Sequence, residues 1–387
     1  MPEAVIVDAV RSPIGRAFKG SLVDVRPDDL GARVVDALLE RNPEVDPATV
    51  DDLICGCGLP QGEQAFNLGR IVVLLSELLP DSVTATTVNR YCASSLQAIR
   101  SAFHAIEAGE GETFIAAGIE CVSRVGPHSE LALPDSRNER LSGSGGRPNA
   151  YIEMGLTAEN VADRYAVSRA DMDRFAKRSQ DRAASARGSG FFDREIVPVA
   201  LPGGESAARD DSPRAGTTLE ALAELEPAFR DGGRVTAGNS CPLNDGAAAV
   251  LVMSHERAKE LELRPRARIL ASATSGLEPE LMGVAPIGAI ERALDRAGMT
   301  IEDVDVSEVN EAFAAQVLPV AEACQIDIDR LNPHGGAIAL GHPFGMTGAR
   351  IMTTLLNDLE TDDGQIGLEA MCVAGGQGMA MIVERLR

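Results

Sequence analysis

The strand-like and helix-like segments of residues 266–387 follow the same order as those of residues 1–120, and this internal repeat constrains the fold more than any other feature. In the first stretch AVIVDAV, DDLICGCG, VTATTVN and TFIAAGIE are short β-branched or apolar runs that predict strands. Between them, PDDLGARVVDALLERN and ASSLQAIRSAFHAIEAG carry the apolar stripe of amphipathic helices, the second ending at a Gly109 C-cap. After a strand at DGAAAVLVMS the pattern returns, with strands at ARILASA, VDVSEVN, IGLEAMCVA and GMAMIVERLR and helices at PIGAIERALDRAG and GMTGARIMTTLLNDL. Alternation of this kind predicts layered α/β architecture. Residues 121–243 differ: SRNERLSGSGGRPNA and LPGGESAARDDSPRAGTT read as loops around one charged helix, TAENVADRYAVSRADMDRFAKRSQDRAASARG. The expected organisation is an N-terminal half over 1–120 completed by about 244–265, a loop-rich insertion over 121–243, and a C-terminal half over 266–387.

A chain of 387 residues exceeds what one hydrophobic core serves, in keeping with two halves. No apolar run approaches the roughly 18 residues of a membrane span. The first residues, MPEAVIVDAVRSPIG, lack the basic start and long apolar segment of a secretory signal, so the cytoplasm is the expected location. A formal charge of −22 argues against non-specific binding to nucleic acid or an anionic membrane. Seven cysteines scattered along the chain do not form a disulfide framework. The close pair Cys55 and Cys57 lacks the second pair of a zinc site and reads as small core residues on a strand, so no metal is expected.

Four segments carry chemistry. In TTVNRYCASSLQAIRSAF a β-branched run stops at Tyr91 and a helical pattern begins just past Cys92. Backbone N–H groups and the macrodipole at a helix start favour an anion there, which lowers a thiol pKa and supplies a nucleophile. The competing reading is an inert core thiol. A thiolate needs a base, and His104, His128 and His255 lie in unremarkable polar surroundings. His334 and His342 share NPHGGAIALGHPFGMTG, whose glycines ahead of a helix suggest backbone brought close to a ligand; both structural and catalytic roles fit. Asn310 and Glu311 interrupt an apolar strand-to-helix junction in EVNEAFAAQ, which is costly unless they hydrogen-bond. Cys372 ends an apolar strand in AMCVAGGQGMAMIV, where a plain glycine hairpin also fits.

VNRYCASS, NEAFA, GGAIALGHPFG and CVAGGQG stand in the order and approximate spacing of the four signature blocks of the thiolase family, which this chain resembles over nearly its whole length. GIECVSR, IEMGLTAEN and VTAGNSCPLNDGAA look like thiolase segments as well. The resemblance implies a duplicated five-layered αβαβα fold with a loop-rich insertion covering the coenzyme. It implies an acyltransferase that uses no metal and no redox cofactor, with coenzyme A and acyl-CoA as substrates, acting as a homodimer or homotetramer. By resemblance His342 deprotonates Cys92, which attacks the keto carbon of a 3-ketoacyl-CoA, and Cys372 protonates the departing carbanion. Asn310 with His342, and the backbone N–H groups of Cys92 and Ala374, are the implied oxyanion donors.

Ala374 stands where the family has glycine. Met154 and Met282 match acyl-pocket methionines and Arg214 an arginine near the adenine. Cys241 and Ala221 replace serines of the coenzyme site, and His334 departs from the usual asparagine without an assigned role. The degradative 3-ketoacyl-CoA thiolase is the first choice and the biosynthetic acetoacetyl-CoA thiolase the second. Other classes are a ketoacyl synthase, which uses His-His or His-Asn and a carrier protein; a cysteine hydrolase, whose residue order differs; and a non-catalytic acyl-CoA binder.

Overall fold

The computed structural model describes residues 2–125 and 137–386; His128 lies outside the described residues. The strands of the first half are β1 (Ala4–Arg11), β2 (Asp52–Gly56), β3 (Thr84–Val88), β4 (Thr113–Cys121) and β5 (Asn244–Ser254). Those of the second are β6 (Ala267–Gly276), β7 (Val306–Val309), β8 (Ile366–Val373) and β9 (Gln377–Arg385). The longer helices are α1 (Pro27–Arg41), α2 (Leu68–Leu75), α3 (Ser94–Ala108), α4 (Met154–Arg164), α5 (Arg169–Ser189), α6 (Pro286–Ala297), α7 (Ala314–Ala323) and α8 (Thr347–Thr361).

The duplication is explicit in the sheet. Strand order runs β7-β8-β9-β6-β1-β5-β4-β2-β3. In the first half β1–β5 and β5–β4 are antiparallel and β4–β2 parallel; in the second, β6–β9 and β9–β8 are antiparallel and β8–β7 parallel. The two half-sheets meet where Val5 and Ile6 pair with Arg268 and Ala267.

Strand alternation sends each sheet's two faces into different cores. Ile6, Val250, Val252, Met371 and Met381 face a central core that also holds Leu96 and Ile99 of α3 and Ile351 and Leu355 of α8. Val5, Leu251 and Ile115 face α1 and α2 on one outer side, while Leu368, Ala370 and Ile382 face α6 and α7 on the other. Helix, sheet, helix, sheet, helix is therefore the layer order, as the family resemblance implies.

Differences from the sequence reading are local. The charged stretch after residue 153 is two helices, because Ala166 takes a positive φ of 53° and the Ser168 side chain caps α5 by accepting from the Asp171 N–H. Its buried residues, among them Ala158, Ala162, Met172 and Phe175, join the core outside the second half-sheet. Helix α2 did not emerge from the periodicity. Gly109 caps α3 with a φ of 74°, as read. Cys55 and Cys57 are buried free thiols. Among the described residues no helix is long and apolar enough to cross a membrane.

Candidate active site

The turn after β3 presents Cys92. Asn89 Oδ1 accepts the Tyr91 N–H at 2.8 Å and its Nδ2 donates to Gly58 O at 3.1 Å, anchoring the turn to the end of β2. Tyr91 adopts a φ of 44°, a left-handed conformation uncommon for a side-chain residue, and this reverses the chain just ahead of the cysteine. Ser94 Oγ fixes the reversal, accepting from Arg90 N at 2.9 Å and donating to Tyr91 O at 2.7 Å. Glycine lets the elements close around it: a methyl at Gly348 of α8 would stand 2.3 Å from Leu96 N of α3, so the two central helices abut at their N-termini.

Cys92 is buried, and the N–H groups of Ala374 and of Cys92 itself point at its sulfur. These donors favour a thiolate. Burial, with a smaller contribution from the Glu120 carboxylate, outweighs them and pushes the thiol up to about 12. The expectation that a helix start alone would leave this sulfur ionised is therefore corrected. In the ligand-free protein Cys92 is therefore a thiol.

His342 reaches this neighbourhood through Asn310, which also borders the space beside Cys372. It follows Gly341, whose φ of 118° suits only glycine, and its N–H donates to Asn244 Oδ1 at 3.0 Å. The Thr347 hydroxyl donates to Pro343 O at 2.8 Å, so the 2.6 Å contact between Thr347 Oγ1 and His342 Nδ1 requires Nδ1 to carry the hydrogen. Nε2 keeps its lone pair and lies 3.3 Å from Asn310 Nδ2. Burial, then the Arg350 charge, lowers the imidazole to about 3, so it stays neutral at physiological pH. Asn310 is buried with its Oδ1 unpartnered.

Cys372, next to last in β8, precedes a turn in which Gly375 and Gly376 have φ values of 79° and 80°. That turn carries the Ala374 N–H to the Cys92 sulfur. Burial raises the Cys372 thiol, and the Cys92 and Cys241 thiols add to the effect, so three sulfurs share one neighbourhood. Cys241 is held by its N–H to Ala312 O at 3.0 Å, two residues from Asn310. Met282 packs in the same apolar cluster as Cys372, and half-buried Met154 packs against it.

Other predicted positions lie elsewhere. Arg214 is exposed, tied by its N–H to Gln180 Oε1 at 2.8 Å. Ala221 is exposed in a short helix. His334 stacks on Phe191 with centroids 3.6 Å apart and places Nδ1 2.6 Å from Asp358 Oδ1, which gives it a packing and hydrogen-bonding role.

Two polar residues of the site escaped sequence reasoning. Thr347 sits where any small residue starts a helix. Glu120 is fully buried on β4 and accepts from Gly58 N and Gly345 N at 2.8 Å each and from Leu59 N at 3.2 Å. It thus ties the loop beside the Cys92 turn to the His342 loop. A carboxylate inside an otherwise apolar strand was the available signal.

Comparison with known proteins agrees with this geometry. Residues 4–256 match the thiolase N-terminal domain and residues 263–385 the thiolase C-terminal domain. The chain is 48% identical to a beta-ketoadipyl-CoA thiolase of Acinetobacter baylyi and 45% identical to a 3-ketoacyl-CoA thiolase of Erwinia tasmaniensis, covering 100% of both chains in each case. The crystal structure of the Bacillus anthracis acetyl-CoA acetyltransferase superposes with a TM-score of 0.91 at 38% identity, covering 100% of this chain and 99% of that one. Two thiols and an imidazole drawn together from both halves of a duplicated α/β fold, and full-length matches to both domains, make this chain an acyltransferase of the thiolase family.

Proposed function

We propose that this thiolase cleaves 3-ketoacyl-CoA with coenzyme A to give acetyl-CoA and a shortened acyl-CoA, through an acyl group carried on Cys92. The observation that carries the reading is the Ala374 N–H directed at the Cys92 sulfur, together with a His342 whose Nε2 carries the lone pair because Nδ1 holds the hydrogen.

As Cys92 Sγ attacks the C3 carbonyl, its proton passes to His342 Nε2 and the carbonyl electrons collect on oxygen. Collapse of that alkoxide breaks the C2–C3 bond, and the electron pair moves to C2, where the Cys372 thiol delivers its proton to form acetyl-CoA. The resulting Cys372 thiolate takes the proton of an incoming coenzyme A thiol. The coenzyme A sulfur attacks the acyl-Cys92 thioester, and the expelled Cys92 thiolate recovers its proton from His342. Hydrogen-bond donors at the two oxyanions are the N–H groups of Cys92 and Ala374 for the C3 oxygen, which remains as the carbonyl oxygen of the acyl-Cys92 thioester, and His342, once protonated at Nε2, with Asn310 for the enolate oxygen of the departing acetyl-CoA.

Met154, Met282 and Cys241 are the proposed wall for the acyl and pantetheine portions and Arg214 the contact nearest the adenine. Coenzyme A is a substrate here, with no separate cofactor. The degradative direction is supported by relatives named for 3-ketoacyl-CoA and beta-ketoadipyl-CoA, both cleavable 3-keto thioesters. Self-association is proposed through the outer edge of β3, whose residues are mostly half-buried or exposed, beside exposed Leu74, Leu75 and Leu78.

The test is a coenzyme A-dependent cleavage assay over straight-chain 3-ketoacyl-CoAs of increasing length and 3-oxoadipyl-CoA. Turnover of substrates longer than acetoacetyl-CoA is expected. Activity confined to acetoacetyl-CoA would overturn the degradative reading in favour of the biosynthetic one.

A further inference from the structure

The two thiols of the site differ in one hydrogen-bonding partner. Each sulfur has its own backbone N–H as a donor, and Cys92 has the Ala374 N–H in addition. Cys372 instead faces an acceptor: Gln316 Oε1 on the first turn of α7 lies 3.5 Å from its Sγ. Which end of the amide faces the sulfur follows from the rest of the chain of contacts. Thr157 Oγ1 donates to Met154 O at 2.6 Å, which commits its hydrogen, and so can only accept at its 3.4 Å contact with Gln316. The Gln316 NH₂ group must therefore point at Thr157 and its carbonyl oxygen at Cys372. The reversed amide would set two acceptors against each other at Thr157.

Gln316 is buried and tightly seated. A methyl at Gly283 would stand 2.2 Å from its Cγ, so only glycine there leaves room for the side chain. The remaining walls around Cys372 on this side, Pro286, Val309, Val317 and Val320, are apolar and offer the sulfur no competing partner. Asn310 also borders this space, and the titratable groups acting on Cys372 are the Cys92 and Cys241 thiols.

We propose that Gln316 is a positioning residue that keeps Cys372 in its thiol form, with Thr157 holding the amide so that its carbonyl accepts the S–H. This rests on the assignment of Cys372 as proton donor in cleavage and explains how two chemically identical groups take different roles: beyond its own N–H, one sulfur gains a second donor that favours the anion, the other an acceptor that favours the acid. When the carbanion forms at C2, the S–H leaves the Gln316 oxygen for carbon. The coenzyme A proton later restores it.

The test is alkylation of the full-length protein by iodoacetamide as a function of pH, with each thiol followed separately by peptide mass spectrometry. Because the amide turns no N–H toward the sulfur, Gln316→Met removes an interaction made by the thiol alone. It is expected to speed Cys372 alkylation about tenfold at a given pH while leaving the Cys92 profile in place. The alkaline limb of kcat/KM for cleavage should move to lower pH by the same amount. Thr157→Val, which frees the amide to turn its NH₂ to the sulfur, should shift Cys372 in the same direction, and Thr157→Ser should restore the parent profile. Thr157→Val also serves if Gln316→Met does not fold. An unchanged or slower Cys372 reaction, or equal acceleration of both thiols, would overturn the proposal. Failure of the thiolase reading is separable, since it appears in the parent protein as absence of acyl transfer to Cys92.

Discussion

Replacing Thr347 with valine tests how the base is prepared. The substitution keeps the shape of the side chain and removes one oxygen, which in the structure accepts the His342 Nδ1 hydrogen and donates to Pro343 O. Thr347 and His342 are both buried, so water cannot take the place of that oxygen. A buried donor left without an acceptor costs about 1–3 kcal/mol. The imidazole can escape this cost by moving its hydrogen to Nε2, where the unpartnered Asn310 Oδ1 becomes available if the amide turns. That tautomer has no lone pair on Nε2 to accept a proton. A shift of about 1–2 kcal/mol toward it lowers the base-competent fraction roughly 5- to 30-fold. The assay is kcat/KM for cleavage of a 3-ketoacyl-CoA, compared among the parent, Thr347→Val and Thr347→Ser, with thermal unfolding run alongside. Serine should recover most of the loss because it keeps the hydroxyl. If valine stays within twofold of the parent, or serine is no better than valine, the tautomer argument is wrong.

Two further outcomes concern protonation. Since burial holds Cys92 up to about 12, its alkylation in the ligand-free protein should rise about tenfold per pH unit between pH 7 and 9. A plateau near pH 7 would show a resident thiolate. Glu120, raised to about 7 from an ordinary 4.5 by burial, binds a proton in the folded state that the unfolded chain releases. Its contribution is complete below pH 4.5 and lost as pH rises through 7. His342, lowered to about 3, works in the opposite sense and costs stability as pH falls from 6.5. Glu120→Gln removes only the first effect, so urea unfolding should show the variant gaining on the parent from pH 5 to pH 8; a difference independent of pH would contradict this.

The sequence made the repeat legible because strand and helix periodicities need only a few residues to declare themselves. It also placed Cys92 at a strand-to-helix junction and His342 in a glycine-rich loop, since both depend on neighbours along the chain. What it did not carry was environment. The state of the Cys92 sulfur depends on burial and on a N–H from Ala374, 282 positions away along the chain. Thr347 reads as an ordinary helix start until its hydroxyl is seen between Pro343 O and the imidazole. The break at Ala166 was hidden because alanine is a strong helix former, and the packing that holds it at positive φ is tertiary.

The most direct measurement is mass spectrometry of the protein quenched in acid shortly after mixing with a 3-ketoacyl-CoA in the absence of coenzyme A. The shortened acyl group should appear on the peptide containing Cys92, disappear on addition of coenzyme A, and be missing from Cys92→Ser. Steady turnover with that peptide unmodified, or an acyl group that stays on Cys92 when coenzyme A is supplied, would contradict the account.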